Sequence, residues 1–287
     1  MHPPPFNLHL DVLSVVIVLE GSYLWAVRRL GPRLLPPDEA PVSRRQLTWF
    51  TAGALTILVA SEWPIHDLSE HYLFSVHMVQ HTLISLVAPP MLLLGMPAWL
   101  LRKIIEPRLV HRALLQLTRP LIALVLFNGV IVVTHWPLVV NGMLEHHSLH
   151  LLGHLALFTS ATLMWWPVVS PLPEMPTLSY PGRMLYLFLQ SIVPTVPASF
   201  LTFGSSPLYS FYEHVPRIWG MSALTDQRIA GLIMKLVGGL ILWSVIVVLF
   251  FKWYLLEQRG GWDELQWRDV ERDVRSGMSH GREVTHR

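Results

Sequence analysis

Two histidines four residues apart, His77 and His81 in HYLFSVHMVQHTLISLVAPP, interrupt a run that is otherwise almost wholly apolar. A second such pair, His150 and His154, stands in HSLHLLGHLALF, and His135 closes another apolar run in THWP. Imidazole is a ligand for zinc, copper, iron and nickel, and thioether favours copper(I). Met78 adjoins the first pair and Met143 precedes the second. Residues four apart share a helical face, so each pair would present both rings in one direction. A hydrogen-bonded structural network is the alternative use of paired imidazoles inside a membrane. HMVQH is not a zinc-peptidase motif, because that motif needs Glu directly after the first His and Met78 stands there. There is no G-x-S-x-G, no phosphate-binding loop and no dinucleotide fingerprint, and no enzymatic reaction is expected.

The elements that must carry these residues are set by composition. The chain has 287 residues, 52% hydrophobic and 14% charged, against about 25% charged in an ordinary soluble domain. Its mean hydropathy is +0.43. This is the composition of a membrane protein. With no cysteine, disulfides and thiolate metal sites are excluded. A net charge of +2 gives no argument for nucleic acid. The N-terminus, MHPPPFNLHLD, lacks a basic n-region and does not read as a cleaved signal peptide.

Runs long enough to cross a bilayer fall at about 10–27, 46–62, 72–94, 120–136, 147–169, 184–204 and 229–251. The expected fold is an all-α bundle of about seven transmembrane helices occupying 1–253, followed by a charged cytoplasmic tail, 254–287, containing Trp262 and Trp267. Pro89–Pro90 and Pro194 with Pro197 should kink or break the third and sixth spans. All but Arg217, Arg228 and Lys235 of the 21 basic residues fall on one side of this topology. The positive-inside rule then places the N-terminus outside and the C-terminus in the cytoplasm.

On that topology all but His111, His280 and His286 of the fifteen histidines lie at the outer side or in the outer half of a span. His77 and His81 lie roughly 8–14 Å below Tyr72 at about 1.5 Å per residue. Spans three, four and five thus bring imidazoles to a similar depth. His66, His71, His146 and His214 read as interfacial residues. Asp226, in LTDQRIAGLIMK, reads either as a helix-start carboxylate favoured by the dipole or as part of the outer polar set, with Glu62 at the same face. Lys235 and Glu20, at overlapping depth, invite an ion pair.

Taken together, HMVQHTLISLVAPPMLLLGMP, THWP, HLLGH, QSIVPTVPASFLTF and DQRIAGLIMK resemble the polytopic CtaG family, assembly factors of caa-type cytochrome c oxidase. This is not the single-span copper chaperone sharing that name. The resemblance runs from about residue 10 to 253 and departs from the family pattern at Lys235, where an aromatic residue is common. It implies a non-enzymatic factor of the bacterial cell membrane that acts on cytochrome c oxidase subunits and handles copper, with His77, His81, His135, His150, His154 and Asp226 as the metal positions. Two other classes fit the residues: a b-type haem cytochrome with axial histidines, and a copper or proton transporter using discontinuous helices. Neither oligomeric state nor partner surface is legible in the sequence.

Overall fold

In the computed structural model, which describes residues 6–175 and 177–260, every regular element is helical, and no strand occurs among the described residues. Of the expected tail, 254–287, residues 254–260 continue the last helix, and the remainder, with Trp262, Trp267, His280 and His286, lies outside the described residues. The helices are α1 (Leu10–Leu34), α2 (Arg44–Ser61), α3 (Ile65–His71), α4 (Phe74–Gly95), α5 (Ala98–Ile104), α6 (Arg108–Leu117), α7 (Pro120–Thr134), α8 (Pro137–Glu145), α9 (His147–Val169), α10 (Tyr180–Ile192), α11 (Thr195–Phe203), α12 (Phe211–His214) and α13 (Ala223–Gln258).

Local chemistry starts and stops them. Ser43 opens α2 with a capping box: its hydroxyl accepts the Gln46 amide at 3.1 Å, and the Gln46 side chain accepts the Ser43 amide at 3.0 Å. Ser179 and Ser222 cap α10 and α13 in the same sense. Pro120 and Pro137 occupy the first turns of α7 and α8, where a missing amide hydrogen costs nothing.

Five stretches are long and apolar enough to cross a membrane: α1, α4, α9, the α10–α11 pair and α13. A sixth is reached if α6 and α7, bent by 81° at their junction, count as one span. By itself α7 has 15 residues, or about 22 Å, short of a hydrocarbon core of about 30 Å. The expected second span appears as α2, with 18 residues, but it does not have the apolar character of the other five. The last span is longer than expected, continuing to Gln258.

The prolines act differently in the two expected breaks. The sixth span divides at Val193–Pro194 into α10 and α11. The third does not divide. It passes through a π-helical turn, Leu83–Val87, directly before Pro89–Pro90. Consecutive prolines leave carbonyls one turn back without an amide donor. One of these, the Ser85 carbonyl, accepts the Trp165 indole N–H at 3.2 Å from α9, which is how a neighbouring helix makes such a site tolerable. Thr82 and Ser85 hydroxyls donate back to the carbonyls of Met78 and His81 (2.8 and 2.6 Å), which helps open the ladder here.

α4 is the central helix, packed against α2, α9 and α13. Its C-terminal half lies directly on α2. A Cβ at Gly95 would sit 2.3 Å from the Phe50 backbone nitrogen, so only glycine permits this approach. Tyr23 of α1 stacks on Phe50 at 3.7 Å and donates to the Gly95 carbonyl at 2.9 Å, tying three helices together. On the other side Trp165, Met164, Leu157, Ala161 and Leu187 form the densest part of the interior. The N-terminal end of α4, with its histidines, is held by α13 and the short α3.

Candidate metal centre

His77 and His81 occupy the first two turns of α4, and His150 and His154 those of α9; His135 follows the last residue of α7. Four of the five are buried, at 4% (His77), 8% (His81), 6% (His135) and 5% (His150) exposure, and His154 is half-buried. Their ring centroids approach to 4.2 Å for His77–His81, 4.5 Å for His150–His154 and 5.3 Å for His81–His154. His77 lies 5.8 Å from His150 and 6.0 Å from His154, and His81 lies 5.8 Å from His135. The structure therefore brings these five sequence-identified histidines together. It does so without a set of three or more His, Asp or Glu converging in coordination geometry among the described residues.

Hydrogen-bond partners assign the ring protons. His135 Nδ1 faces the Ile131 carbonyl at 2.8 Å. A carbonyl only accepts, so Nδ1 carries the hydrogen and, in the neutral ring, Nε2 keeps its lone pair. His150 Nδ1 faces the Glu70 carboxylate at 2.7 Å and must donate. With that ring neutral, its Nε2 accepts from His154 Nε2 at 2.8 Å. His154 Nδ1 then bears a bare lone pair. It is buried and has no hydrogen-bond partner among the described residues, as are Nδ1 of His77 and of His81. Buried ring nitrogens are ordinarily satisfied. Three unsatisfied ones lie in the adjoining imidazoles of His77, His81 and His154.

Asp226 is fully buried, and its two oxygens accept the amides of Phe74 (2.7 Å) and Ser75 (3.0 Å). The residue before α4, Leu73, supplies no side-chain cap. Asp226 reaches across from α13 to do so, and places a negative charge at the positive end of the histidine-bearing helix. Gln227, beside it, accepts the Leu208 amide and donates to the Leu201 carbonyl at 3.2 Å. The expected Lys235–Glu20 pair does not form. Glu20 accepts from Thr51 at 2.7 Å, and Lys235 makes no ion pair with any described residue. Lys235 instead lines a cavity of about 60 Å³ beneath His81 and His135, together with Ser85 and Gln190.

Sequence reasoning missed the groups beside this cluster. His9 contacts Asp67 at 3.0 Å, and His66 contacts Glu70 at 3.2 Å. The His9 and His66 rings meet edge to face at 4.5 Å, and His66 stacks toward His150 at 6.4 Å. His66 and His71 were expected to be ordinary interfacial residues. His66 also has a partner within the bundle: Gln80, one turn from His77, places its side-chain nitrogen 3.2 Å from His66 Nδ1. The available signal was HDLSEH, where His66 and Glu70 stand four apart on one face. Burial lowers the pKa of His66, against the opposing pull of Glu70. For Glu70, burial alone would raise the carboxyl. The hydrogen bond from His150 and the neighbouring His66, His150 and His71 outweigh it and hold the group down at about 2.

Among curated relatives, an uncharacterized protein of Mycobacterium bovis is 25% identical over 252 residues, which is 82% of this chain and 36% of the relative. One of Mycobacterium tuberculosis gives the same figures. One of Mycobacterium leprae is 24% identical over 267 residues, covering 86% of this chain and 39% of its own. The chain spans little more than a third of the length of these relatives. No solved structure matches. The family described as cytochrome c oxidase caa3 assembly factor (Caa3_CtaG) matches residues 21–255, nearly the whole helical region, and the chain belongs to that family.

Proposed function

We propose that this protein is a non-enzymatic assembly factor of the bacterial cell membrane that receives copper through the deep imidazoles and presents it to cytochrome c oxidase subunits. In this reading it spans the bilayer about seven times, by the five apolar stretches, the bent α6–α7 pair and α2. The N-terminus is outside and the C-terminus cytoplasmic, as the basic residues require. His77, His81, His135, His150 and His154 are the ligand candidates, and Asp226 holds the helix that carries the first two.

The observation that carries the reading is the set of unpartnered buried Nδ1 atoms of His77, His81 and His154. A purely structural imidazole network would use those atoms in hydrogen bonds. Here the contacts that do exist, the His150–Glu70 pair and the His154–His150 hydrogen bond, orient the rings as outer partners orient metal ligands. Imidazole donors without thiolate suit transient holding of copper, in either oxidation state, rather than permanent burial.

The test is metal analysis with an optical spectrum on the purified chain after copper loading, beside His77→Ala/His81→Ala. The expected result is copper in the wild type, at least tenfold weaker binding in the variant, and loss of oxidase maturation in cells carrying it. Full oxidase activity in those cells refutes the role. Reduced-minus-oxidised haem bands refute it in favour of a cytochrome.

A further inference from the structure

α13 carries a charge that nothing in the bundle pairs. Lys235 is the one charged residue in the stretch 229–251. It stands seven residues past Arg228, about 10 Å along the helix, and 17 before Lys252, about 25 Å. The four-carbon stem of lysine covers only part of either distance. Lys235 is exposed on the outside of the bundle and makes no ion pair with any described residue. A charge at that depth is costly unless it is paired.

The surroundings of Lys235 are built to admit a partner. It belongs to a π-helical turn, Ile233–Val237, a widened turn frequent at functional sites. Ser85 and Leu86, from the π-helical turn of α4, line the same cavity of about 60 Å³ as Lys235. No Asp or Glu among the described residues lines it. Fully buried Gln190 does. The Asn128 amide nitrogen donates both to the Leu124 carbonyl (2.8 Å) and to Gln190 Oε1 (2.6 Å). That fixes the orientation of the Gln190 amide and leaves its Nε2, a donor, without a hydrogen-bond partner among the described residues. Cation and amide alike call for an acceptor. On the surface, Gly239 stands one turn after Lys235 and has nothing within 4 Å of an added Cβ. Leu232, Leu236 and Leu240 are exposed along the same stretch. A glycine on the outer face of a span lets a second helix backbone come close.

We propose that Lys235 and its cavity are a docking point for a transmembrane helix of a partner protein, whose Asp or Glu side chain pairs with the ammonium while its backbone passes over Gly239. The cavity has room for a group the size of a carboxylate and is too small for a phospholipid headgroup. The apolar rim fits a helix, and the buried donors supply the acceptor's remaining hydrogen bonds. This inference rests on the assembly reading for the partner's identity, an oxidase subunit, and is independent of copper.

The experiment is cross-linking with dicyclohexylcarbodiimide in membranes of cells that make the full chain and the oxidase. The reagent takes up the water released as an amine and an adjoining carboxylate condense to an amide. Peptide mass spectrometry then maps the bond. We expect a bond from Lys235 to an Asp or Glu within an apolar span of an oxidase subunit. Lys235→Gln should recover at least tenfold less of that subunit with the chain, and Lys235→Arg should restore recovery, with copper binding within twofold of wild type in both. Gly239→Leu, which fills open space without touching the ammonium, should lower recovery as well. Helicity by circular dichroism checks each fold, and Gly239→Leu serves if Lys235→Gln fails to fold. No cross-link at Lys235, or one to Glu20 or to a second copy of the chain, overturns the docking point. So does unchanged recovery in folded Lys235→Gln. A bond to a spanning carboxylate of a protein outside the oxidase keeps the docking point and refutes the assembly reading. Wild type that binds no copper yet forms the expected bond refutes the copper reading alone.

Discussion

Removing the Asp226 carboxylate should unfasten the helix that carries His77 and His81. In Asp226→Ala, the amides of Phe74 and Ser75 lose acceptors at 2.7 and 3.0 Å in a fully buried position. Each stranded buried donor costs about 1–3 kcal/mol. Loss of the negative charge at the helix start adds about 0.3–1 kcal/mol. The expected destabilisation is about 2–7 kcal/mol. Asp226→Asn keeps one acceptor but turns an amide nitrogen toward the second donor, for about 2–4 kcal/mol. The assay is reversible unfolding in mixed micelles, read by circular dichroism, with copper binding measured on the folded fraction. Capping predicts a large loss of stability and weakened copper binding in proportion to the displaced helix. If Asp226→Ala unfolds within about 1 kcal/mol of wild type while copper is lost outright, the carboxylate is a ligand and the capping argument fails.

Two further outcomes follow from the packing. Gly95→Ala places a methyl 2.3 Å from the Phe50 backbone nitrogen and 2.6 Å from its Cα, and backbone cannot swing aside. Separation of α2 from α4 should cost about 3 kcal/mol or more, at the upper end of overpacking, whereas Gly129→Ala, with nothing within 4 Å, should be neutral or better in the same unfolding assay. Trp165→Phe leaves the Ser85 carbonyl without its indole donor beside the double proline. A loss of about 1–3 kcal/mol is expected, with faster hydrogen exchange confined to the π-helical turn of α4.

The helical class, five of the expected spans and the five histidines that meet between helices are legible in order and spacing alone. Apolar runs of bilayer length admit few folds, because backbone polar groups must be satisfied within the segment. Histidines four apart inside such runs share a face whatever the helix packs against. Linear order is silent on what depends on partners distant in the chain. Asp226 caps α4 across 152 positions. Trp165 satisfies Ser85 across 80, so a double proline that locally predicts a break yields a continuous helix with a π-turn. Lys235 and Glu20, which the sequence places at overlapping depth, form no ion pair, since depth is one-dimensional and contact is not. His66 reads as an interfacial residue, and only tertiary packing brings it beside His9, Gln80 and His150. A side chain's type and helical phase belong to the sequence; which lone pair is left bare, and which cation has no carboxylate, is decided where helices far apart in the chain meet.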